Sequence, residues 1–324
     1  MTDSIHNYAD IKFLASGAFS DVYRAQRKSS SSTEVALKVS NPATQRAPHS
    51  PLRERAVLGV LGGQKHIVPL LSSFYDETDL VLVLPYFPVQ LSDISIHAAD
   101  DKVKSLIMHE ITSAIAFLHE NEVIHRDIKP QNILLASSSG PAYLTDFGTA
   151  WIAPSSRVSQ VDAEQRPGPG IAKYQDTLEP DNGKLTDVGT GLYRAPELLF
   201  GYSGYGKGVD LWSWGCVIAE MYRGPERRAI FDVSKEVSEL ALVRAIFQTL
   251  GTPDLEEWPE SQYFPSYSKI GFADYPSRPF DEILPHAPQE IIDVVSKLLR
   301  YESGRRLAAD KLLSMYFLKD IINK

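Results

Sequence analysis

The stretch HRDIKPQN at residues 125–132 decides the fold of this chain. It places a carboxylate, an amine and a carboxamide in one short run, and Pro130 excludes a helix interior because it lacks an N–H and has a fixed φ. The apolar residues 133–135 that follow predict a short buried strand. Two interpretations of the stretch are open. It is a surface turn, or a catalytic loop in which Asp127 accepts a proton, Lys129 neutralises phosphate and Asn132 binds a hard cation.

Length and composition limit the class of protein. The 324 residues are enough for one large domain or two lobes with their own cores. The net charge of −8 argues against binding of the whole chain to nucleic acid or an anionic membrane. The single cysteine, Cys216, excludes internal disulfides and fits a reducing compartment, so we expect an intracellular location, in the nucleus or the cytoplasm. We expect neither a signal peptide nor a membrane span, because no apolar run has the required length.

Residues 8–87 predict a small antiparallel sheet with one helix. The helix at 51–61 has Ser50 as its N-cap and Pro51 as its first residue, and it ends at Gly62. We expect its Glu54 to pair with Lys38 of the third strand. The prolines at 85 and 88 predict a boundary between an N-lobe at 8–87 and a C-lobe at 88–324. The strands are predicted at 11–14, 21–25, 34–39, 67–74 and 80–84.

The second part of the chain is predicted to be mainly helical. Asp146, followed by Phe147 and Gly148, is a second candidate metal-binding carboxylate. Residues 152–185 are rich in proline, glycine and polar residues and lack periodicity, which predicts a flexible insert. We favour a tolerated surface loop over a docking or regulatory segment. The helices are predicted at 102–120, 209–222, 240–250, 288–300 and 308–317.

Taken in order, these motifs resemble those of the eukaryotic protein kinases over residues 8–318. The resemblance implies one kinase domain at 1–324 with an α+β, two-lobed fold. Its N-lobe would be a small antiparallel sheet with one main helix, and its C-lobe would be larger and mostly helical. The matching motifs are the glycine-rich loop at 13–22, the strand-three lysine motif at 35–38, the catalytic loop at 125–132, the metal-binding DFG turn at 146–148 and the APE motif at 195–197.

The resemblance implies a serine/threonine kinase that transfers the γ-phosphate of ATP to proteins with the help of Mg²⁺. Asp127 would orient and deprotonate the substrate hydroxyl, Lys129 would contact the γ-phosphate, and Thr190 would hydrogen-bond to both. Asn132 and Asp146 would hold Mg²⁺. The implied ATP-binding residues are Leu14, Ala15, Gly17, Val22, Ala36, Lys38, Glu54, Tyr86, Phe87 and Leu134.

Residues 191–201, 210–220 and 247–253 resemble the cyclin-dependent-kinase (CMGC) branch, and within that branch the chain looks most like the divergent fungal CDK-activating kinases. This resemblance implies a monomeric kinase subunit in cell-cycle or transcription control that takes a protein, and in particular a cyclin-dependent kinase, as its substrate. Arg194 implies a preference for proline after the target residue. Residues 47–52 depart from the usual cyclin-contacting sequence, which leaves the need for a cyclin open.

Two departures from the family pattern concern catalysis. Ala15 and Ser20 replace glycines of the phosphate-binding loop, and a Cβ limits both φ and the approach of phosphate. The alternative interpretation is therefore a catalytically weak scaffold of the pseudokinase type that binds a partner protein. The intact Lys38, Asp127 and Asp146 favour an enzyme.

The second departure concerns regulation. Arg53 and Arg126 match two of the three arginines that bind a phosphorylated activation loop in such kinases, whereas Trp151 stands in the place of the third. Thr186 is the expected phosphorylation site. Because one arm of the phosphate clamp is missing, we expect the enzyme to be active without phosphorylation of Thr186.

Overall fold

The computed structural model describes residues 3–17, 19–29, 33–96, 99–161, 179–224, 229–231, 233 and 238–315. The strands are β1 Tyr8–Ser16, β2 Asp21–Arg27, β3 Glu34–Ser40, β4 Ser72–Asp76, β5 Asp79–Pro85, β6 Val89–Gln90, β7 Val123–Ile124, β8 Ile133–Leu135, β9 Ala142–Leu144 and β10 Trp151–Ile152. The helices are α1 Pro51–Leu61, α2 Asp101–Glu120, α3 Arg157–Val161, α4 Pro196–Leu199, α5 Gly208–Tyr222, α6 Glu239–Leu250, α7 Phe280–Ile283, α8 Gln289–Leu298 and α9 Ala309–Leu313.

The first five strands form one antiparallel sheet in the order β1-β2-β3-β5-β4. Side chains alternate between the two faces of a strand, so Val35 and Leu37 of β3 are buried on one face while Lys38 leaves from the other. Lys38 lies opposite Val22 of β2 and Leu82 of β5. The central position of β3 therefore fixes the direction of the Lys38 side chain towards helix α1.

Helix α1 begins and ends where the sequence predicts. The Ser50 side chain accepts a hydrogen bond from the backbone N–H of Arg53 (3.2 Å), and Pro51 occupies the first turn. Both charged residues of the first turn, Arg53 and Glu54, are buried. Helix α3 packs beside α1, with Val158 fully buried. The fold thus holds two buried charges of α1 close to the boundary between the lobes.

The strand predicted at 67–74 is wrong in its first part, because β4 spans Ser72–Asp76. Pro69 has no N–H to donate to a sheet. The residues before it pair elsewhere: the N–H of Val68 donates to the carbonyl of Leu144 (3.0 Å), and the N–H of Leu144 donates to that of His66 (2.8 Å). This segment therefore joins the C-lobe at β9 and only later enters the N-lobe sheet.

Helices α2 and α5 form the centre of the C-lobe core. Helix α2 is capped by Asp100, whose side chain accepts from the N–H of Lys102 (2.7 Å), and its Ile107, Ile111 and Ile115 are fully buried. Helix α5 is buried on all sides except at Gly208 and Glu220, so it lies inside the domain. Its Cys216 is buried, and burial raises the pKa of that thiol well above its ordinary value.

The remaining helices follow the prediction with shifted ends. Helices α6 and α8 are close to the predicted 240–250 and 288–300. Helix α9 ends at Leu313, and residues 316–324 lie outside the described part of the chain, as do 162–178 of the predicted insert. Within the described ranges, no helix combines the length and the apolar character needed to span a membrane. A small antiparallel sheet with its helix, followed by a mostly helical lobe, gives the expected α+β architecture.

Candidate active site

One buried carboxylate, that of Asp210, holds the loop between β7 and β8 in place. The backbone N–H groups of His125 and Arg126 donate to the two oxygens of Asp210, each at 2.8 Å. Nε2 of His119 lies 2.9 Å from Oδ2 of the same carboxylate. Burial raises the pKa of Asp210, but its hydrogen bond with His119 and the neighbouring charges hold it below the ordinary value. Asp210 therefore anchors the loop as an anion.

Replacing Asp210 by asparagine is expected to lower the free energy of unfolding by about 1–3 kcal/mol, because the amide NH₂ would face a backbone N–H and leave it unsatisfied. Since the pKa of Asp210 is lowered in the folded protein, the contribution of the carboxylate is complete above about pH 4 and is lost as the pH falls further. The free energies of unfolding of wild type and Asp210→Asn, measured with urea, should therefore converge at lower pH. The exposed Asp101→Asn is the control, and a gap that stays constant down to pH about 3 would contradict this assignment.

The three predicted catalytic residues meet in one cluster. Thr190 Oγ1 donates to Asp127 Oδ1 (2.6 Å), and Lys129 Nζ contacts Asp127 Oδ2 (2.8 Å) and Thr190 Oγ1 (2.7 Å). Nδ2 of Asn132 donates to the backbone carbonyl of Asp127 (2.8 Å) and to its Oδ2 (3.1 Å). The Asp127 carboxylate is thus fixed in orientation, which a general base requires.

Lys38 lies between two carboxylates and forms a second charged cluster with them. Its Nζ contacts both oxygens of Glu54 (2.8 and 2.7 Å) and Oδ1 of Asp146 (2.8 Å). Burial lowers the pKa of Lys38, but Asp146 and Glu54 outweigh it and hold the pKa above its ordinary value. Burial raises the pKa of Asp146, and Lys38 more than compensates, so its pKa lies well below the ordinary value. The predicted strand-to-helix ion pair therefore forms and keeps a positive charge in the cleft.

The two clusters face one cavity of about 480 Å³. Asp146, which lies on its wall, has a positive φ of 64°, a left-handed conformation that a residue other than glycine adopts at some energetic cost. The predicted site residues that line the cavity are Gly17, Lys38, Glu54, Asp127, Lys129, Asp146 and Thr190. The structure thus brings together the groups expected to bind phosphate and to handle the proton.

The other predicted nucleotide-binding residues lie outside the lining of this cavity. Leu14 and Ala15 are exposed in β1. The other five predicted residues lie in the strands or at the lobe boundary. Val22 lies opposite Lys38, Ala36 opposite Leu84, and Leu134 opposite Tyr143. The Tyr86 ring lies under the Arg24 guanidinium at 4.8 Å, and the Phe87 ring is 4.8 Å from the Tyr143 ring. A role for these residues in binding the base of ATP stays a prediction.

Residues before helix α1 complete the cavity and were not predicted as part of the site. Gln45 Nε2 donates to the backbone carbonyl of Phe19 (2.6 Å), and the His49 ring lies 4.2 Å from the Phe19 ring. Burial lowers the pKa of His49 despite the nearby Asp146 and Asp127, so the imidazole is neutral at pH 7. The unusual sequence at 47–52 was the only available signal that this segment had a separate role.

A second residue that was not predicted, Glu179, connects three parts of the molecule. Arg126 donates to both its carboxylate oxygens (2.6 and 2.8 Å), and Arg53 NH2 lies 3.4 Å from one of them. The indole N–H of Trp151 donates to the Glu179 backbone carbonyl (3.1 Å). Burial raises the pKa of Glu179, but the hydrogen bonds and charge of Arg126 hold it below the ordinary value. Glu179 is thus an anion between helix α1 and the catalytic loop.

One further ion pair lies deeper in the C-lobe. Arg306 NH1 and NH2 donate to the two oxygens of Glu197 at 2.6 and 2.8 Å, and both side chains are fully buried. Arg306 also donates to the backbone carbonyls of Arg300, Gly208 and Tyr301. This ion pair ties α4 to the segment before α9.

Comparisons with known proteins agree with this geometry. The family model described as protein kinase domain matches residues 8–318. The serine/threonine-protein kinase csk1 of Schizosaccharomyces pombe is 36% identical over 299 residues, which cover 91% of this chain and 89% of csk1. Cyclin-dependent kinase 20 of Danio rerio is 31% identical over 319 residues, covering 97% of this chain and 84% of that protein. Cyclin-dependent kinase 20 of Homo sapiens is 30% identical over 318 residues, covering 96% and 82%.

Fold, site and similarity lead to the same conclusion. The antiparallel sheet with its helix, the Lys38–Glu54 ion pair and the loop that carries Asp127 are what a phosphotransferase of this kind requires. The matched region covers nearly the whole chain and the relatives are covered over most of their length. The chain belongs to the protein kinase family, and it is an ATP-using serine/threonine protein kinase of the cyclin-dependent-kinase-like type.

Proposed function

We propose that this kinase uses ATP with Mg²⁺ and phosphorylates a cyclin-dependent kinase, and that it does so as a single subunit. The observation that carries the catalytic part is that both charge clusters are formed in one chain around one cavity. Such an arrangement favours catalysis over the alternative of a non-catalytic scaffold, because phosphoryl transfer depends on positioning and on charge neutralisation.

In this proposal Asp127 orients the substrate hydroxyl and takes its proton, while Thr190 and Lys129 hold the carboxylate in place. Lys129 and Lys38 both line the cavity and neutralise charge on the transferred phosphate and on the remaining phosphates of ATP. Glu54 keeps Lys38 from moving out of the cleft. The hydroxyl of the protein substrate would enter beside Thr190.

The two residues proposed to hold Mg²⁺ fit the ion chemically. Nδ2 of Asn132 donates to Asp127, so the amide oxygen of Asn132 lies on the other side of its carboxamide group. Oδ1 of Asp146 contacts Lys38, which leaves its second oxygen for a cation. Mg²⁺ prefers a few protein oxygens together with phosphate oxygens and water, so these two ligands suffice. When bound, the ion supplies charge neutralisation on the phosphates.

The proposal of a single subunit rests on helix α1. Its Glu54 already contacts Lys38, and its neighbour α3 comes from the same chain. The sequence before it, at 45–51, folds into the cavity and contacts Phe19 instead of extending as a surface for a cyclin. The choice of a cyclin-dependent kinase as substrate rests on two resemblances: that of 191–201 and 247–253 to the cyclin-dependent-kinase branch, and that of the chain as a whole to the divergent fungal CDK-activating kinases.

A panel of cyclin-dependent kinases tests the substrate. Each is supplied in a catalytically inactive form, with its activation-segment threonine intact or replaced by alanine, and is incubated with this kinase, Mg²⁺ and labelled ATP. We expect labelling of at least one intact protein and loss of that labelling in its alanine form. The Asp127→Asn kinase is the control for contaminating activity.

Two other outcomes would change the assignment. Equal labelling of the intact and alanine forms would show that the activation segment is not the target. Faster labelling of simple Ser-Pro and Thr-Pro peptides than of any member of the panel would indicate a general proline-directed kinase. Arg194, which implies the preference for proline, contacts Thr186 and Glu239.

A further inference from the structure

We propose that Glu179 is a positioning residue for phosphoryl transfer, because its carboxylate joins helix α1 to the catalytic loop. As a consequence, phosphorylation of the activation segment is unnecessary for activity. In kinases that are switched by phosphorylation, an added phosphate orders this segment by pairing with arginines. Here a carboxylate encoded in the chain occupies the space between the guanidinium groups. The proposal rests on the kinase activity and not on the choice of a cyclin-dependent kinase as substrate.

The two arginines lead directly to the catalytic groups. Arg53 precedes Glu54, which contacts Lys38, and Arg126 precedes Asp127. Glu179 contacts Arg126 through two hydrogen bonds and Arg53 through one of the same oxygens. A shift of this carboxylate would therefore be transmitted to two groups that line the cavity, Lys38 through Glu54 and the base Asp127.

Burial makes the contact strong. The Arg126 side chain is fully buried, and those of Arg53 and Glu179 are 6% and 9% exposed. A buried guanidinium that loses its anion is strongly unfavourable, since water cannot replace the lost charge. The Tyr205 hydroxyl accepts from Arg126 (2.9 Å) and donates to the Leu185 carbonyl (2.6 Å), and burial raises its pKa to about 12, so it stays neutral. Glu179 therefore supplies the anion for this guanidinium.

The surroundings fit a singly charged carboxylate. Besides the arginines, the N–H of Leu185 donates to Oε2 of Glu179 at 2.9 Å. Trp151 stands in place of a third arginine and binds the backbone of Glu179 through its indole N–H, while the Lys184 ammonium lies 4.5 Å above the indole ring. Two guanidinium groups and one N–H satisfy the two oxygens of a carboxylate. A doubly charged phosphate at this place would lack the third arginine.

Thr186 contacts a different arginine. Its backbone carbonyl accepts a hydrogen bond from Arg194 (3.1 Å), and Arg194 also contacts Glu239. Arg53 and Arg126, the two arginines expected to bind phosphorylated Thr186, both contact Glu179. Phosphorylation of Thr186 would have to displace Glu179 to reach them.

The test compares four variants of the full-length protein: Glu179→Gln, Glu179→Ala, Thr186→Ala and Asp181→Asn. Asp181 lies in the same segment, and its side chain is 69% exposed, so Asp181→Asn removes a charge without touching the arginines. We expect kcat of Glu179→Gln to fall about 10- to 100-fold with a smaller change in KM for ATP, since a misplaced catalytic group costs roughly this much. Thr186→Ala and Asp181→Asn should stay close to wild type.

Two further measurements separate positioning from folding. Inorganic phosphate or sulfate added to Glu179→Ala should raise its kcat, because an anion can enter between the two guanidinium groups, and it should have no such effect on Glu179→Gln, where the space is filled. Wild type treated with phosphatase, and shown by mass spectrometry to lack phosphate, should keep its activity. The isosteric Glu179→Gln serves as the decisive variant if Glu179→Ala does not fold.

The proposal is overturned if Glu179→Gln keeps kcat within about twofold of wild type, which is well below the effect of a misplaced catalytic group. It is also overturned if Thr186→Ala loses as much activity as Glu179→Gln, or if phosphatase treatment inactivates the wild type. All rates are measured with the protein substrate that wild type phosphorylates fastest. Failure of the proposed cyclin-dependent-kinase substrate would therefore leave this test intact.

Discussion

Replacement of Asp127 by asparagine is expected to reduce kcat by about 10²–10⁴-fold, the range that a positioned general base contributes. Asparagine keeps the size of the side chain but cannot take the proton of the substrate hydroxyl. It also loses one of the two acceptor oxygens, so Thr190 and Lys129 can no longer both bind it. Steady-state kinetics with purified protein, Mg²⁺ and ATP measures the effect.

Two controls accompany this measurement. Asp127→Asn should bind a fluorescent ATP analogue nearly as wild type does, because Lys38 and Asp146 are unchanged. Thr190→Ser keeps a hydroxyl that can donate to Asp127 and should retain most of the activity. Full transfer by Asp127→Asn would mean that another group takes the proton or that the site has been wrongly assigned.

The largest effect on stability is expected at the pair of Glu197 and Arg306. Replacing Glu197 by alanine should lower the free energy of unfolding by about 3–5 kcal/mol, because Arg306 would stay buried without its carboxylate. Arg306→Met should cost a similar amount, since Glu197 would then be the unpaired charge. Urea unfolding followed by tryptophan fluorescence reports the change, and Trp212 lies against the Arg306 guanidinium at 5.1 Å.

The double replacement of Glu197→Leu with Arg306→Met, compared with the single variants Glu197→Leu and Arg306→Met, is the matched control. Two apolar side chains of similar size need no partner, so the double variant should be more stable than either single one. The exposed pair of Lys311 and Asp310 offers a comparison, and its removal should change stability by less than about 1 kcal/mol. If the losses of unfolding free energy in the two single variants simply add up in the double variant, the two side chains do not depend on each other.

Sequence predicted which side chains come together where short motifs fix their positions. Lys38 and Glu54 could be paired because an alternating strand and a capped helix each fix the direction of one side chain. Asp127, Lys129 and Asn132 could be assigned together because one proline-containing loop carries them. In each case a local backbone pattern determines where the functional atoms lie.

The parts that sequence did not predict depend on contacts between distant segments. Glu179 lies in a stretch without periodicity, and only the fold brings it to Arg126, which is 53 positions earlier in the chain. Trp151, which stands where the family resemblance implies an arginine, indicated that the expected phosphate clamp is incomplete, but it did not indicate which anion Arg126 contacts. The beginning of the strand predicted at 67–74 was wrong because the apolar residues around Pro69 fit a strand as well as the loop that joins β9.

The burial of the chain's single cysteine gives a direct experimental probe of the catalytic loop. Cys216 and Asp210 lie on the same helix, and the thiol reacts only when α5 opens to solvent, since thiolate and access are both required. The rate of labelling by a thiol reagent therefore measures the free energy of that opening, as hydrogen exchange would for a single amide. Protection that increases when nucleotide is added would show that occupancy of the cleft is felt at the base of the loop.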